Sequence, residues 1–386
     1  MPARPSRPRL LLVVLAGLLG LLLAGCATFP DEGPRDWQAK TEGQGELGGP
    51  PAAQDPADPG NEAGQPPTTG PTQPGAPNGC DDPDPRVVAT CLDPVAAVAP
   101  LPGTDAALVA ERSTGRILRV QRGTDPQVVT IIPVDPAGGG LIGMVLSPGY
   151  QEDRLVYAYI STPEGNQVVR LPPGEPAKPI FTGIPRGAPG VGGLSVDRDG
   201  FLLVATGAQG GDPADPRSLA GKVLRIDTLG RPSPRNPDPT SPVLSSGLRN
   251  PAGVCADPST STTWVTDRTG SRDVLYRISS GPVGVPAWSW PDRPGVAGCV
   301  AQPGTVGVAM TTGAVLALLR PGDDGRFTAP PENLLANTYG RLNAAALGSD
   351  GLVWLGTVNK AGGKPVASDD RVIRLPLLSG GGADRA

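Results

Sequence analysis

One short phrase of sequence recurs six times between Val87 and Leu377, and it rules out any fold that does not repeat. It consists of an apolar strand, a turn holding Gly or Asp, and a second strand with Val or Ile beside Arg. Leu108-Val109-Ala110-Glu111 leads to Gly115-Arg116-Ile117-Leu118-Arg119-Val120, and Leu155-Val156-Tyr157-Ala158-Tyr159 leads to Gln167-Val168-Val169-Arg170-Leu171. The third copy joins Leu202-Leu203-Val204-Ala205-Thr206 to Lys222-Val223-Leu224-Arg225-Ile226, and the fourth joins Thr263-Trp264-Val265-Thr266-Asp267 to Leu275-Tyr276-Arg277-Ile278. Weaker copies run from Val306-Gly307-Val308-Ala309 to Val315-Leu316-Ala317-Leu318, and from Leu352-Val353-Trp354-Leu355 to Arg371-Val372-Ile373-Arg374-Leu375. No amphipathic helix interrupts them, and Gly, Pro and Asp bound the strands. A period of roughly 40 to 55 residues is that of a four-stranded propeller blade. The expected fold is therefore all-β, a six-bladed β-propeller over residues 80–378. Ligand sites in such a fold belong on loops near the central channel.

The chain before the repeats has two parts. Arg4, Arg7 and Arg9 precede an unbroken apolar run from Leu10 to Ala24, which is short for a spanning helix and reads as a signal peptide over residues 1–25. It ends in Leu23-Ala24-Gly25-Cys26, which resembles the lipobox of bacterial lipoproteins, so Cys26 is the expected lipidation site and the mature protein an exported one anchored to the membrane. From Ala27 to Gly79 the composition turns to Pro, Gly, Gln, Asp and Glu, with Leu47 as the only branched aliphatic residue. Such a segment cannot bury a core. It reads as a disordered tether with a root-mean-square reach of roughly 40 Å, and residues 379–386 read as a flexible tail. Cleavage before Cys26 removes three of the 33 basic residues and none of the 37 acidic ones, leaving a formal charge of −7. That balance argues against a nucleic-acid partner, and the expected oligomeric state is a monomer.

Cys80, Cys91, Cys255 and Cys299 follow Cys26. An even number in an exported chain favours two disulfides, and four cysteines allow three pairings. The repeat order selects Cys80 with Cys91, closing the start of the domain, and Cys255 with Cys299, joining neighbouring repeats. Without a C-x-x-C spacing or a histidine, a zinc site is set aside.

The loops between repeats resemble the soluble, pyrroloquinoline-quinone (PQQ)-dependent glucose and sorbosone dehydrogenases, which are six-bladed propellers. Gly140-Leu141-Ile142-Gly143-Met144-Val145-Leu146-Ser147-Pro148 is similar to that family's G-L-L-G-x-A-L-H-P segment. Ser218-Leu219-Ala220-Gly221-Lys222-Val223-Leu224-Arg225-Ile226-Asp227, followed by Asn236-Pro237, resembles S-L-x-G-K-x-L-R-I-x. Gly247-Leu248-Arg249-Asn250-Pro251-Ala252-Gly253 resembles G-x-R-N-P-x-G, and Trp288-Ser289-Trp290-Pro291 resembles Y-G-W-P.

The resemblance implies a chemistry that several residues here do not support. In the family a histidine of an H-x-G-G segment takes the sugar hydroxyl proton while hydride passes to the quinone, which calcium and cationic side chains polarise. The matching segment is Gly190-Val191-Gly192-Gly193, so Gly190 stands at the base position, and the 386 residues contain no histidine. The absence of histidine equally excludes Ser-His-Asp and Cys-His hydrolysis. Arg249 and Asn250 match the family's cofactor pocket. Its lysine before the last blade falls near Thr311, and its last-blade arginine pair becomes Arg341 and Asn343, so two cations are lost. The calcium loop becomes Asp267-Arg268-Thr269-Gly270, which puts a metal there in doubt. The expected catalytic residues, cofactor and metal are therefore none.

The ligand-binding candidates are Arg249, Asn250, Arg341 and Gln209, the last within Gly207-Ala208-Gln209-Gly210-Gly211, a segment that opens no helix and so is no phosphate loop. Arg249-Asn250-Pro251 can equally serve only to shape its loop. Asp197-Arg198-Asp199-Gly200 reads as a hairpin turn rather than a calcium loop, and Trp288 with Trp290 as blade packing rather than a sugar platform. Three function classes follow. The favoured one is a catalytically degenerate propeller binding a saccharide, an envelope polymer or a protein. The second is an active PQQ- and calcium-dependent aldose dehydrogenase with Asp197 or Asp212 as base, and the third a structural envelope protein.

Overall fold

The computed structural model describes residues 79–322 and 326–377; the expected leader, Cys26, nearly all of the tether, and the tail lie outside them. The first strand, β1 (Val87–Ala89), takes no part in the sheet that follows it. That sheet comprises β2 (Val95–Pro100), β3 (Ala106–Glu111), β4 (Arg116–Gln121) and β5 (Thr124–Ile131). The second holds β6 (Leu141–Leu146), β7 (Val156–Thr162), β8 (Gly165–Leu171) and β9 (Lys178–Ile184). The third holds β10 (Gly193–Val196), β11 (Leu202–Ala205), β12 (Lys222–Ile226) and β13 (Val243–Ser246). The fourth is β14 (Pro251–Ala256), β15 (Thr263–Arg268), β16 (Asp273–Ile278) and, beyond a two-residue β17 (Gly281–Pro282) that pairs in parallel with β13, β18 (Trp288–Trp290). The fifth is β19 (Val296–Gln302), β20 (Thr305–Met310), β21 (Leu316–Leu319) and β22 (Glu332–Leu334). The last runs β23 (Leu342–Leu347), β24 (Leu352–Thr357) and β25 (Val372–Pro376), and is completed by β1 from the start of the domain.

These are the six expected blades, and their first strands touch in a closed circle, β2 to β6 to β10 to β14 to β19 to β23 and back to β2. Sheet pairing makes each blade, and burial between blades makes the core. Tyr157, Tyr159 and Val168 of the second blade pack on Leu202, Val204 and Leu224 of the third. Trp264 and Leu275 of the fourth pack on Val306 and Val308 of the fifth. Strands near the channel are largely apolar, and β3 (Ala-Ala-Leu-Val-Ala-Glu) is buried at every position, its terminal Glu111 included, because neighbouring blades cover both of its faces. The outermost β5 is exposed at six of its eight positions.

Small residues let six strands converge. Ala97, Gly143, Gly253 and Ala344 stand at register shifts near the starts of their inner strands. Gly193 opens β10, and Gly298 lies within the shift of β19. A Cβ on Gly253 would come within 2.7 Å of Ala297 O and of Gly298 Cα, and one on Gly298 within 2.6 Å of Asn343 O. Nothing larger fits while the strands keep their spacing.

Both disulfides form as expected. Cys255–Cys299 joins the inner strands of the fourth and fifth blades, and Cys80–Cys91 closes the approach to β1. The latter seam is reinforced by Arg371, which donates to Asp82 and Asp369 at 3.0 Å each. Asn343 Nδ2 also donates to Val95 O at 2.9 Å, tying the last inner strand to the first.

Candidate functional site

The inner strands all run in one direction, so the loops entering them and the loops between second and third strands share one face of the disc. Gly190, Arg249-Asn250 and Arg341 lie immediately before β10, β14 and β23, while Arg112, Gln209, Arg268 and Thr311 follow or end second strands. Four of these loops interlock. Asp267 accepts the backbone N–H of Arg249 at 2.9 Å and of Asn250 at 2.6 Å, and Asn250 Nδ2 donates to Arg268 O at 3.2 Å. Ala208 N donates to Arg249 O, and the Gln209 amide folds back over Gly207, next to Val191. Asn250 therefore serves to hold the Arg268 loop.

Arg268 is the centre of this arrangement. Its Nε donates to Val296 O at 3.0 Å and its Nη2 to Gly190 O at 2.6 Å, so the guanidinium bridges from the fifth blade to the third. A Cβ placed on Gly190 would lie 3.6 Å from Nη2 and 3.8 Å from Nη1. The cation thus occupies the ground onto which a longer side chain at position 190 would project.

Two further arginines share this mouth. Arg112, which the sequence reading passed over, is partly buried, and burial first, then the charges of Arg268 and Arg341, push its pKa down to about 10. Arg268 is lowered mainly by burial, with Arg341 adding to the effect. The Arg341 Nε is buried without a hydrogen-bond partner, and its backbone N–H is fixed by Asn359 Oδ1 at 2.7 Å.

The remaining candidates separate. Arg249 is exposed and acts on Asp267 and Tyr276 rather than on the three clustered arginines. Thr311 Oγ1 donates to Gly295 O at 3.0 Å, and Asn343 belongs to the seam between the last and first blades. Asp197 directly follows β10 and so lies at the opposite end of the channel, where Arg225 Nε donates to it at 2.6 Å and its other oxygen accepts the N–H groups of Asp199 and Phe201. That segment is a hairpin turn. Asp212 is on the correct face but exposed, accepting the N–H of Ala214 at 2.8 Å. Trp288 and Trp290 meet edge to face with centroids 6.4 Å apart, and Trp290 is buried between blades.

A cavity of about 480 Å³ runs along the channel between the inner strands, from Gly192, Gly253 and Asn343 at one end to Val196, Pro258 and Ser349 at the other, with no charged side chain in its lining. It holds no titratable side chain that could do chemistry, so the candidate functional site is placed at the arginine mouth.

Comparison with known proteins places the fold. A PQQ-bound aldose sugar dehydrogenase from Streptomyces coelicolor is 31% identical, with a TM-score of 0.69 over 75% of this chain and 96% of that one. The chain belongs to the glucose/sorbosone dehydrogenase family. The family profile, glucose/sorbosone dehydrogenase, matches residues 92–283. An oxidoreductase of glucose dehydrogenase type from Thermus thermophilus is 30% identical over 75% of this chain and 98% of its own, with a TM-score of 0.67. The Escherichia coli soluble aldose sugar dehydrogenase, at 20% identity and a TM-score of 0.65, shares the fold over 75% of this chain and 98% of its own. No curated protein matches the sequence. Gly190, the residue that the sequence resemblance set at the family's base position, has the Arg268 guanidinium beside it.

Proposed function

We propose that this protein is an exported, lipid-anchored member of the glucose/sorbosone dehydrogenase family that binds a saccharide on its arginine-lined face and does not oxidise it. The observation that carries the reading is Arg268 spanning Gly190 O and Val296 O. A guanidinium keeps its proton at any working pH and cannot act as the base that hydride abstraction from a sugar carbinol requires. Neither carboxylate of the alternative reading serves, since Asp197 lies at the other end of the channel and Asp212 engages its own turn.

The residues present do not fit the family's quinone and calcium constellation. The carboxylate of the metal loop, Asp267, faces the backbone N–H groups of Arg249 and Asn250, and the adjacent carbonyls of Gly190 and Val296 already receive a cation. Export and anchoring rest on the basic and apolar leader and on Leu23-Ala24-Gly25-Cys26. Mass spectrometry of the membrane fraction is expected to find an acylated N-terminal Cys26; an unmodified start elsewhere would contradict the anchor. Spectroscopic titration with PQQ and calcium tests the rest. No saturable change in the quinone spectrum is expected, and stoichiometric quinone binding would contradict the reading.

A further inference from the structure

Several arginines of this domain that pack into the fold are matched to carboxylates. Arg225 meets Asp197 and Asp199, Arg371 meets Asp82 and Asp369, and Arg116 meets Glu111 and Asp93. Arg112, Arg268 and Arg341, whose loops share one face of the disc, are not so matched. Among the described residues none of the three forms an ion pair, and Arg112 and Arg341 make no side-chain hydrogen bond. Three acids lie near enough to act on the cluster, but each is engaged by N–H and O–H donors instead. Asp267 takes two backbone N–H groups, as above. Asp273 accepts those of Gly295 at 2.7 Å and Val296 at 3.1 Å, and Asp370 accepts Thr357 Oγ1 at 2.9 Å and Asn359 N at 2.5 Å. Arg268 uses two donors on carbonyls, and Asp273 and Asp267 act on its charge without forming an ion pair.

We propose that these three guanidiniums form a carboxylate-binding site at the mouth of the channel, and that its ligand is a sugar carrying an acid group. Like charges gathered with no carboxylate paired to any of them oppose folding, and a bound anion would lessen that opposition. Guanidinium donors suit a carboxylate, whose paired oxygens accept two parallel N–H groups. The buried, unpartnered Nε of Arg341 supplies a donor already free of water. The carboxylate part of the proposal rests on the cluster alone, whereas the sugar part rests on the function proposed above.

Calorimetric titration of the mature protein with D-glucuronate and D-glucose, which differ at one carbon, tests it. Glucuronate is expected to bind at least about tenfold more tightly than glucose, with the advantage shrinking as salt rises. Arg112→Gln and Arg341→Gln should each weaken glucuronate binding by roughly tenfold or more. Arg112→Gln should also raise the melting temperature of the ligand-free protein, because it relieves repulsion and breaks no hydrogen bond. A side chain there only for packing would lower the melting temperature and leave affinity unchanged, which would overturn the proposal. Equal binding of glucose and glucuronate would overturn the acidic-sugar assignment while leaving the proposed function standing. Quinone-dependent oxidation with no binding of glucuronate would overturn both.

Discussion

Gly298→Ala tests whether the channel closes because its inner strands carry almost no side chain at their closest approach. The added Cβ would lie 2.6 Å from Asn343 O and 2.9 Å from Ala345 N, both backbone atoms of β23, where ordinary contact begins near 3.4 Å. The neighbouring strand would have to retreat by several tenths of an ångström. It is held on its far side by the Asn343–Val95 hydrogen bond, so the strain spreads to the seam between the last and first blades. Overpacking of this kind costs about 1–3 kcal/mol. Alanine also stiffens the unfolded chain, a gain of about 0.4–1 kcal/mol that would mask part of the effect. Gly284→Ala supplies the control, since that glycine has nothing within 4 Å of the position a Cβ would take. The unfolded-state gain cancels between the variants, leaving Gly298→Ala less stable by about 1–3 kcal/mol in urea unfolding followed by tryptophan fluorescence. If the two variants agree within about 0.5 kcal/mol, the inner strands are not held by close packing at the glycine positions.

Replacing Cys255 and Cys299 by alanine opens a loop of 44 residues and should cost about 4 kcal/mol in the chain-entropy account, read as a lower urea midpoint; a loss below about 1 kcal/mol would contradict it. The Asp84 carboxyl tests the seam at low pH. Burial alone would raise its pKa, but hydrogen bonds from Arg86 and Tyr339 outweigh burial and hold it at about 2. Because the folded value lies below the unfolded one, its contribution of about 2 kcal/mol is complete above about pH 4 and is lost as pH falls through about 2. Asp84→Asn should therefore lose stability at about pH 7 and show a flatter acid limb between about pH 4 and 2 than the parent; an unchanged acid limb would refute the assignment.

The blades were legible because their second and third strands repeat a local pattern of apolar residues, turn glycines and arginines. The disulfide partners followed from the repeat order. Closure by β1 was not legible, since its partner β25 lies nearly the whole domain away and a three-residue Val-Val-Ala strand carries no local mark of its destination. Asp197, one of the two carboxylates named as a possible base, stands a few residues after Gly190-Val191-Gly192-Gly193. A four-residue strand of roughly 13 Å intervenes and carries it toward the other face, a conclusion strand geometry alone could have supplied. The arginine mouth was the largest omission. Arg268 drew notice only as a disturbance of a metal loop, and Arg112 drew none, because the sequence states how many cations there are but not which ones find an acid. Their convergence is a property of the ring, which brings residues of the first, fourth and last blades to one point.

The central claim is that this propeller has kept the family's scaffold and lost its redox chemistry. Dye-linked oxidation of an aldose panel by the purified mature protein, with saturating PQQ and calcium, measures it directly. Loss of a positioned base removes about 10²- to 10⁴-fold in rate, so turnover at background is the expected result. Turnover within about tenfold of an authentic aldose sugar dehydrogenase would contradict the account and require a base other than Asp197.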